Sequence, residues 1–185
     1  MLIAAHHLVD RLRHPRSRAD EVFAVRRRLV AQRSPSAASD EELALARDLR
    51  RLRVELTTAL AGVSACGTCA RGHSLPHGRW NGGQCCGGHT EGVFTDDELA
   101  SLRLSGTTLG RLAPPRSEHA GCAFRGPEGC SLEVADRPNL CVRYLCRELE
   151  GELRERGSLT SVKAIARRLG ETFERFARVR AAHSR

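Results

Sequence analysis

Eight cysteines, all between positions 66 and 146, are the residues of this chain best suited to chemistry. They fall into two sets of four. The first is Cys66-Gly-Thr-Cys69 with Cys85-Cys86, and the second is Cys122, Cys130, Cys141 and Cys146. Thiolate is a ligand for zinc, iron and iron–sulfur clusters, and grouped cysteines in a reduced compartment point first to metal. Two thiols separated by two residues can close on one ion, and the glycine after Cys66 supports that turn. The side chains of Cys85 and Cys86 diverge, so the pair more easily serves two metals, or two irons of one cluster. Three arrangements are open: two zinc sites of four thiolates each, one [4Fe–4S] cluster using four thiols, or a cluster plus a zinc. His73, His77, His89 and His119 lie among the cysteines and are candidates to replace one of them. His6, His7, His14 and His183 lie outside and are expected at the surface. No acid–base constellation accompanies the thiols. Asp96, Asp97 and Glu98 fit the first turn of a helix, where acids complement the helix dipole. Arg137, just before Pro138, fits a structural role at a helix start better than anion binding.

The elements that must hold these cysteines differ along the stretch. Residues 64–94 are crowded with glycine, from Gly67 to Gly92, and carry few apolar side chains. Such a segment has high backbone entropy and little packing, so a metal is expected to order it. Gly126-Pro-Glu-Gly129 marks a tight turn that brings Cys122 and Cys130 together. Pro138 opens a helix near its first position, with Cys141, Leu145, Leu149 and Leu153 on one face. On a continuous helix Cys141 and Cys146 point about 140° apart. Either that helix is distorted or the two thiols serve different metals.

Helices are expected elsewhere too. Residues 2–13 form a short one ended by Pro15. Ser17-Arg-Ala-Asp20 opens another, with Val22, Val25 and Leu29 inward. After a linker at 34–39, Ser39-Asp-Glu-Glu42 is a second capping box. Leu45, Leu49, Leu52, Leu56, Leu60 and Val63 then form one apolar stripe, to pack on the cysteine region, the last helix or a second subunit. Thr95-Asp-Asp-Glu98 caps a short helix carrying Leu99, Leu102 and Leu104, ended by Gly106 and Gly110. The last helix carries Val162, Ile165, Leu169, Phe173 and Phe176, and residues 181–185 are expected to fray.

Composition suits this helical picture. Of the 185 residues 41% are apolar, but only five Phe, one Trp and one Tyr are present, so the core is aliphatic. The net charge of +8 is uneven. Residues 1–65 carry 12 Arg against 8 acids, residues 147–185 carry 10 Lys+Arg against 6, and residues 66–146 balance at 8 against 8. The flanking arginines alternate with acids at helical spacing, and no basic block has aromatics between its charges, which argues against nucleic acid. One lysine against 29 arginines points to codon bias. No stretch reaches the roughly 18 apolar residues of a membrane span, and the N-terminus lacks the basic start of a secretory signal. A cytoplasmic location with reduced thiols is expected. Disulfides are the minor alternative for an even cysteine count.

Several of these residues resemble the YkgJ-type (CxxCxxCC) family of zinc- or iron-chelating proteins. The matching residues are Cys66-Gly-Thr-Cys69, Cys85-Cys86, Phe94-Thr-Asp-Asp-Glu-Leu99, Gly129-Cys-Ser-Leu132, Arg137-Pro-Asn-Leu-Cys141 and Cys146. The resemblance covers about residues 66–146. It departs from the short gaps of the family name at one place, where 15 residues separate Cys69 from Cys85. The resemblance implies metal chelation. Some family members are labelled iron–sulfur oxidoreductases, and a related domain occurs in a flagellin lysine methylase. This chain has no GxGxxG after a strand and no CxxxCxxC, so neither activity carries over.

The expected fold is mainly α, with helical flanks around an irregular, cysteine-rich, metal-stapled centre. Residues 1–65 form an N-terminal helical segment, 66–146 the metal-binding domain, and 147–185 a C-terminal helical segment packing on the rest. The expected function is metal binding through the eight cysteines, as a [4Fe–4S] cluster, zinc or both, with a redox role. The alternative is a zinc-stapled module that binds a protein partner without catalysis. No membrane partner is expected.

Overall fold

The computed structural model describes residues 12, 17–64, 90–115, 122–126 and 129–183. The helix expected over 2–13 lies outside them apart from Leu12. Helix α1 (Arg18–Ala31) starts at Ser17, whose hydroxyl accepts the Asp20 amide at 3.1 Å. It buries Val22, Val25 and Leu29, as their spacing predicts. After a 3-10 turn at Pro35–Ala37, helix α2 (Asp40–Ala59) opens on a complete capping box. The Glu42 amide donates to the Ser39 hydroxyl at 3.2 Å, and the Ser39 amide donates to the Glu42 carboxylate at 2.9 Å. Such reciprocity satisfies two of the amides that a helix start leaves without partners.

A short helix, α3 (Thr90–Val93), leads into α4 (Asp96–Leu104), which is capped by Thr95. Gly106 alone ends α4, at φ +95°, a conformation open to glycine. Gly110, expected to share that task, sits instead in a 3-10 turn at Leu109–Arg111. Strands β1 (Arg125–Gly126) and β2 (Gly129–Cys130) form a minimal antiparallel hairpin. Arg125 pairs with Cys130 and Gly126 with Gly129, in keeping with the turn expected from the sequence. A 3-10 turn at Val134–Asp136 precedes α5 (Asn139–Arg143), α6 (Arg147–Glu155) and α7 (Leu159–Ala182).

Of the alternatives left open for the stretch after Pro138, a distorted helix is what the structure has: the helix is not continuous. Pro138 is its N-cap, Tyr144 is extended at ψ 116°, and the chain restarts at Cys146. The physical reason is a new cap: the Cys146 sulfur accepts the Leu149 amide at 3.5 Å and opens α6. At the end of α7, residues 181 and 182 are helical and Arg33 donates to the His183 carbonyl at 3.2 Å, while residues 184 and 185 of the stretch expected to fray lie outside the described residues.

The apolar side chains form two clusters. The larger joins Leu45, Leu49, Leu52 and Leu56 of α2 to Leu149 and Leu153 of α6 and to Val162, Leu169 and Phe176 of α7. It also takes in Ala100, Leu104 and Val142, so it draws on all three sequence ranges. The α2 stripe thus packs on the last helix and on α4 and α5 of the cysteine range. The ion pairs Glu41–Arg175 at 2.6 Å and Glu55–Arg168 at 3.3 Å show that α2 and α7 are antiparallel. The smaller cluster joins α1 to α3, α4 and the hairpin, through Val22, Val25, Leu29, Val93, Phe94, Leu99, Leu102, Leu112, Phe124 and Leu132. The described residues are mainly helical, and among them no helix is long and apolar enough to cross a membrane.

Candidate functional site

Four of the predicted site residues, Cys122, Cys130, Cys141 and Cys146, can be placed. Cys66, Cys69, Cys85 and Cys86 lie outside the described residues, as do His73, His77, His89 and His119. Cys122 precedes the hairpin, Cys130 ends it, and Cys141 is the third residue of α5. All three pack on the smaller cluster. The Arg125 amide donates to the Cys122 carbonyl at 2.9 Å, and Arg125 pairs with Cys130. One tight turn and one ladder pair therefore bring the Cys122 and Cys130 thiols within electrostatic reach of each other. Cys146 is held elsewhere. It caps α6 and packs against the larger cluster. The helix break at 144–146 thus divides the second set of cysteines three to one. Among the described residues, no three His, Cys, Asp or Glu side chains converge closely enough to hold a metal by themselves.

The Cys122 environment is apolar. The residue is 8% exposed, and burial pushes its thiol from 9.0 up to about 11. The neighbouring Cys130 and Glu21 act in the same direction, while hydrogen bonds with Phe124 and Thr90 oppose it. A thiol held protonated in this way is no nucleophile, whereas coordination to a metal deprotonates it outright. Thr90 links the surrounding elements. Its hydroxyl donates to the Glu21 carboxylate of α1 and accepts the Ala123 amide at 2.9 Å. Thr90 stands four residues after Cys86 in the sequence. Two residues before Cys66 in the sequence, the Ser64 amide donates to the Glu152 carboxylate of α6 at 2.9 and 3.1 Å.

Beside Cys141 lies a buried polar network that sequence reasoning missed. Glu98 belongs to the Thr95 cap motif, and its amide donates to the Thr95 hydroxyl at 3.3 Å. Its side chain, however, turns inward, and the residue is 3% exposed. One carboxylate oxygen accepts the Asn139 amide at 2.9 Å and the Asn139 side-chain amide at 2.8 Å. The other accepts the Leu140 amide at 3.2 Å. Glu98 of α4 therefore caps α5, which corrects its reading as a charge for its own helix dipole. Arg53 of α2, fully buried, donates to the Asn139 side-chain oxygen at 3.3 Å and to the Ser105 hydroxyl at 3.1 Å. Burial lowers the Arg53 pKa to about 10, against the pull of Glu98 and Asp136. Asp136, also fully buried, accepts from the Thr107 hydroxyl at 2.7 Å and lies 3.6 Å from both Arg50 and Arg111. One signal of this network was present in the sequence. Arg53 stands four residues after Leu49 and three before Leu56, on the inward stripe of α2. Arg137, by contrast, has the structural role expected of it, donating to the Leu132 carbonyl at 2.9 Å.

No family model, curated protein or solved structure matches this chain.

Proposed function

We propose that this chain is a YkgJ-type metal-binding protein that holds an iron–sulfur cluster or zinc through its cysteines. Cys122, Cys130 and Cys141 are the described donors of one site. One of Cys66, Cys69, Cys85 and Cys86 would complete a fourfold thiolate set there, the others serving a second metal, and Cys146 stands apart from that site. The observation carrying this reading is that three cysteines, two at the hairpin and one from α5, pack on the same apolar cluster. The donor set fits the group: soft thiolates, one buried and two half-buried, suit zinc or iron. The buried Cys122 thiol gains from coordination, because a thiolate there needs a cation beside it. A cluster would supply one-electron chemistry, and zinc would supply a rigid fourfold tie.

Anaerobic purification with metal analysis and absorption spectroscopy tests this reading. A brown protein with iron and sulfide supports the redox form, and a colourless one with stoichiometric zinc supports the structural form. Protein holding neither iron nor zinc overturns both. Cys122→Ser and Cys141→Ser are each expected to lose metal, and Cys146→Ser to retain it.

A specific observation favours the second form, a zinc-stapled module that binds a protein partner without catalysis. The buried carboxylates Glu42, Glu98 and Asp136 are all engaged in capping helices or pairing with arginines. None of them is left to act as an acid or base beside the thiols.

A further inference from the structure

Helix α5 has only five residues, too few to offset its own nucleation cost, so its conformation depends on what holds its ends. Its first turn carries Cys141, and its N-terminal amides are accepted by a buried side chain from another helix. That side chain is Glu98, and Asn139 lies clamped between it and Arg53. All three residues are 3% exposed or less. At the start of α5 the Cys141 amide donates to the Pro138 carbonyl at 3.0 Å.

From this geometry we infer that Glu98 is a positioning residue for the Cys141 thiol. The Glu98–Asn139–Arg53 clamp fixes α5 to α4 and α2, and so fixes where Cys141 sits relative to Cys122 and Cys130. Asp96 and Asp97 share the same helix start but serve other elements. Asp96 pairs with Arg28 of α1 at 2.8 Å, and Asp97 pairs with Arg180 of α7. Of three consecutive acids, only Glu98 reaches the cysteine-bearing helix.

The inference rests on the metal-binding reading for one arm of its test and is independent of it in the other. In the first arm, the full metal-free chain is titrated with cobalt(II) and the thiolate-to-cobalt absorption in the near ultraviolet is followed. Glu98→Ala should lose the share of intensity that Cys141→Ser loses, with cobalt affinity down about tenfold. The double variant should lose no more than either single one. Asp97→Ala removes the same charge without touching α5 and should keep the full signal. Full intensity in Glu98→Ala overturns the proposal.

In the second arm, alkylation of each cysteine by iodoacetamide in metal-free protein is followed by mass spectrometry. Glu98→Ala should speed Cys141 several-fold and leave Cys122 unchanged. Equal Cys141 rates in wild type and variant overturn the proposal, even if wild-type protein takes up no cobalt. Circular dichroism shows whether Glu98→Ala keeps its helices. If it does not, Glu98→Gln, which keeps the size and one acceptor, takes its place and should give intermediate values in both arms. A Glu98→Gln protein indistinguishable from wild type in both arms would then count against the clamp.

Discussion

At the scale of single residues, burial sets the ionisation of Glu98, Arg53 and Cys122. Glu98 is held above its ordinary value of 4.5 by burial, with the amides of Asn139 and Leu140 and the Arg53 charge pulling it back. The sign of the effect on stability follows from proton binding. Above the raised folded value both states are ionised, and the fold carries the cost of a buried charge. As pH falls through that value towards 4.5, the fold takes up its proton before the unfolded chain does, so this group's contribution becomes more favourable. Below 4.5 both states are protonated and the contribution levels off. Glutamine has no such proton. The stability of wild type minus that of Glu98→Gln should therefore rise on acidification across this window, in denaturant melts run at a series of pH values. A difference that stays flat would sink the assignment. Sequence alone does not reveal this state. Thr95-Asp-Asp-Glu98 has the form of a local cap, and only the tertiary position of α5 turns Glu98 inward.

At the scale of elements, local chemistry was legible where it is self-contained. Ser39 and Glu42 complete their box within four residues, and Val22, Val25 and Leu29 keep the spacing that marks the inner face of α1. The break between α5 and α6 was legible only as one of two alternatives, for a physical reason. Cys141, Leu145, Leu149 and Leu153 step by four, which imitates one helix, and cysteine is not among the usual N-cap residues. A thiol is a weak acceptor, so the Cys146 cap is improvable. Cys146→Ser should hold or raise stability in thermal melts of metal-free protein, while Cys146→Ala should lower it by about 0.5–1 kcal/mol. Equal stabilities for the two variants would mean that the cap contributes nothing.

For the whole molecule, the aliphatic composition translated directly into a helical core centred on α2, α6 and α7. Of the partners left open for the α2 stripe, both the last helix and the cysteine region, through Ala100, Leu104 and Val142, cover it. The Leu49 side chain is fully buried there, and Leu49→Ala should cost about 3 kcal/mol in urea unfolding through lost transfer energy and the cavity left behind. Val54 of the same helix is 47% exposed, and Val54→Ala should stay within about 0.5 kcal/mol of wild type. A comparable loss in both would contradict the assigned inner face. The basic flanks also gained an explanation. Arg28, Arg33, Arg168, Arg175 and Arg180 face acids on other elements or across turns, so much of the positive charge joins the helices to one another.

The pairing of α2 with α7 has a consequence for how the chain is made. Ala59 ends the first helix and Leu159 begins its partner, 100 residues later in the order of synthesis. The leucine stripe of α2 therefore leaves the ribosome well before the surface that covers it. In that interval it is an exposed apolar ridge, open to chaperones or to wrong partners. Contacts so distant in sequence also form slowly, because a long loop must close before they reward it. The larger cluster is thus the last part of the molecule to be completed. The smaller cluster, which holds Cys122, Cys130 and Cys141, can assemble once residue 141 has emerged.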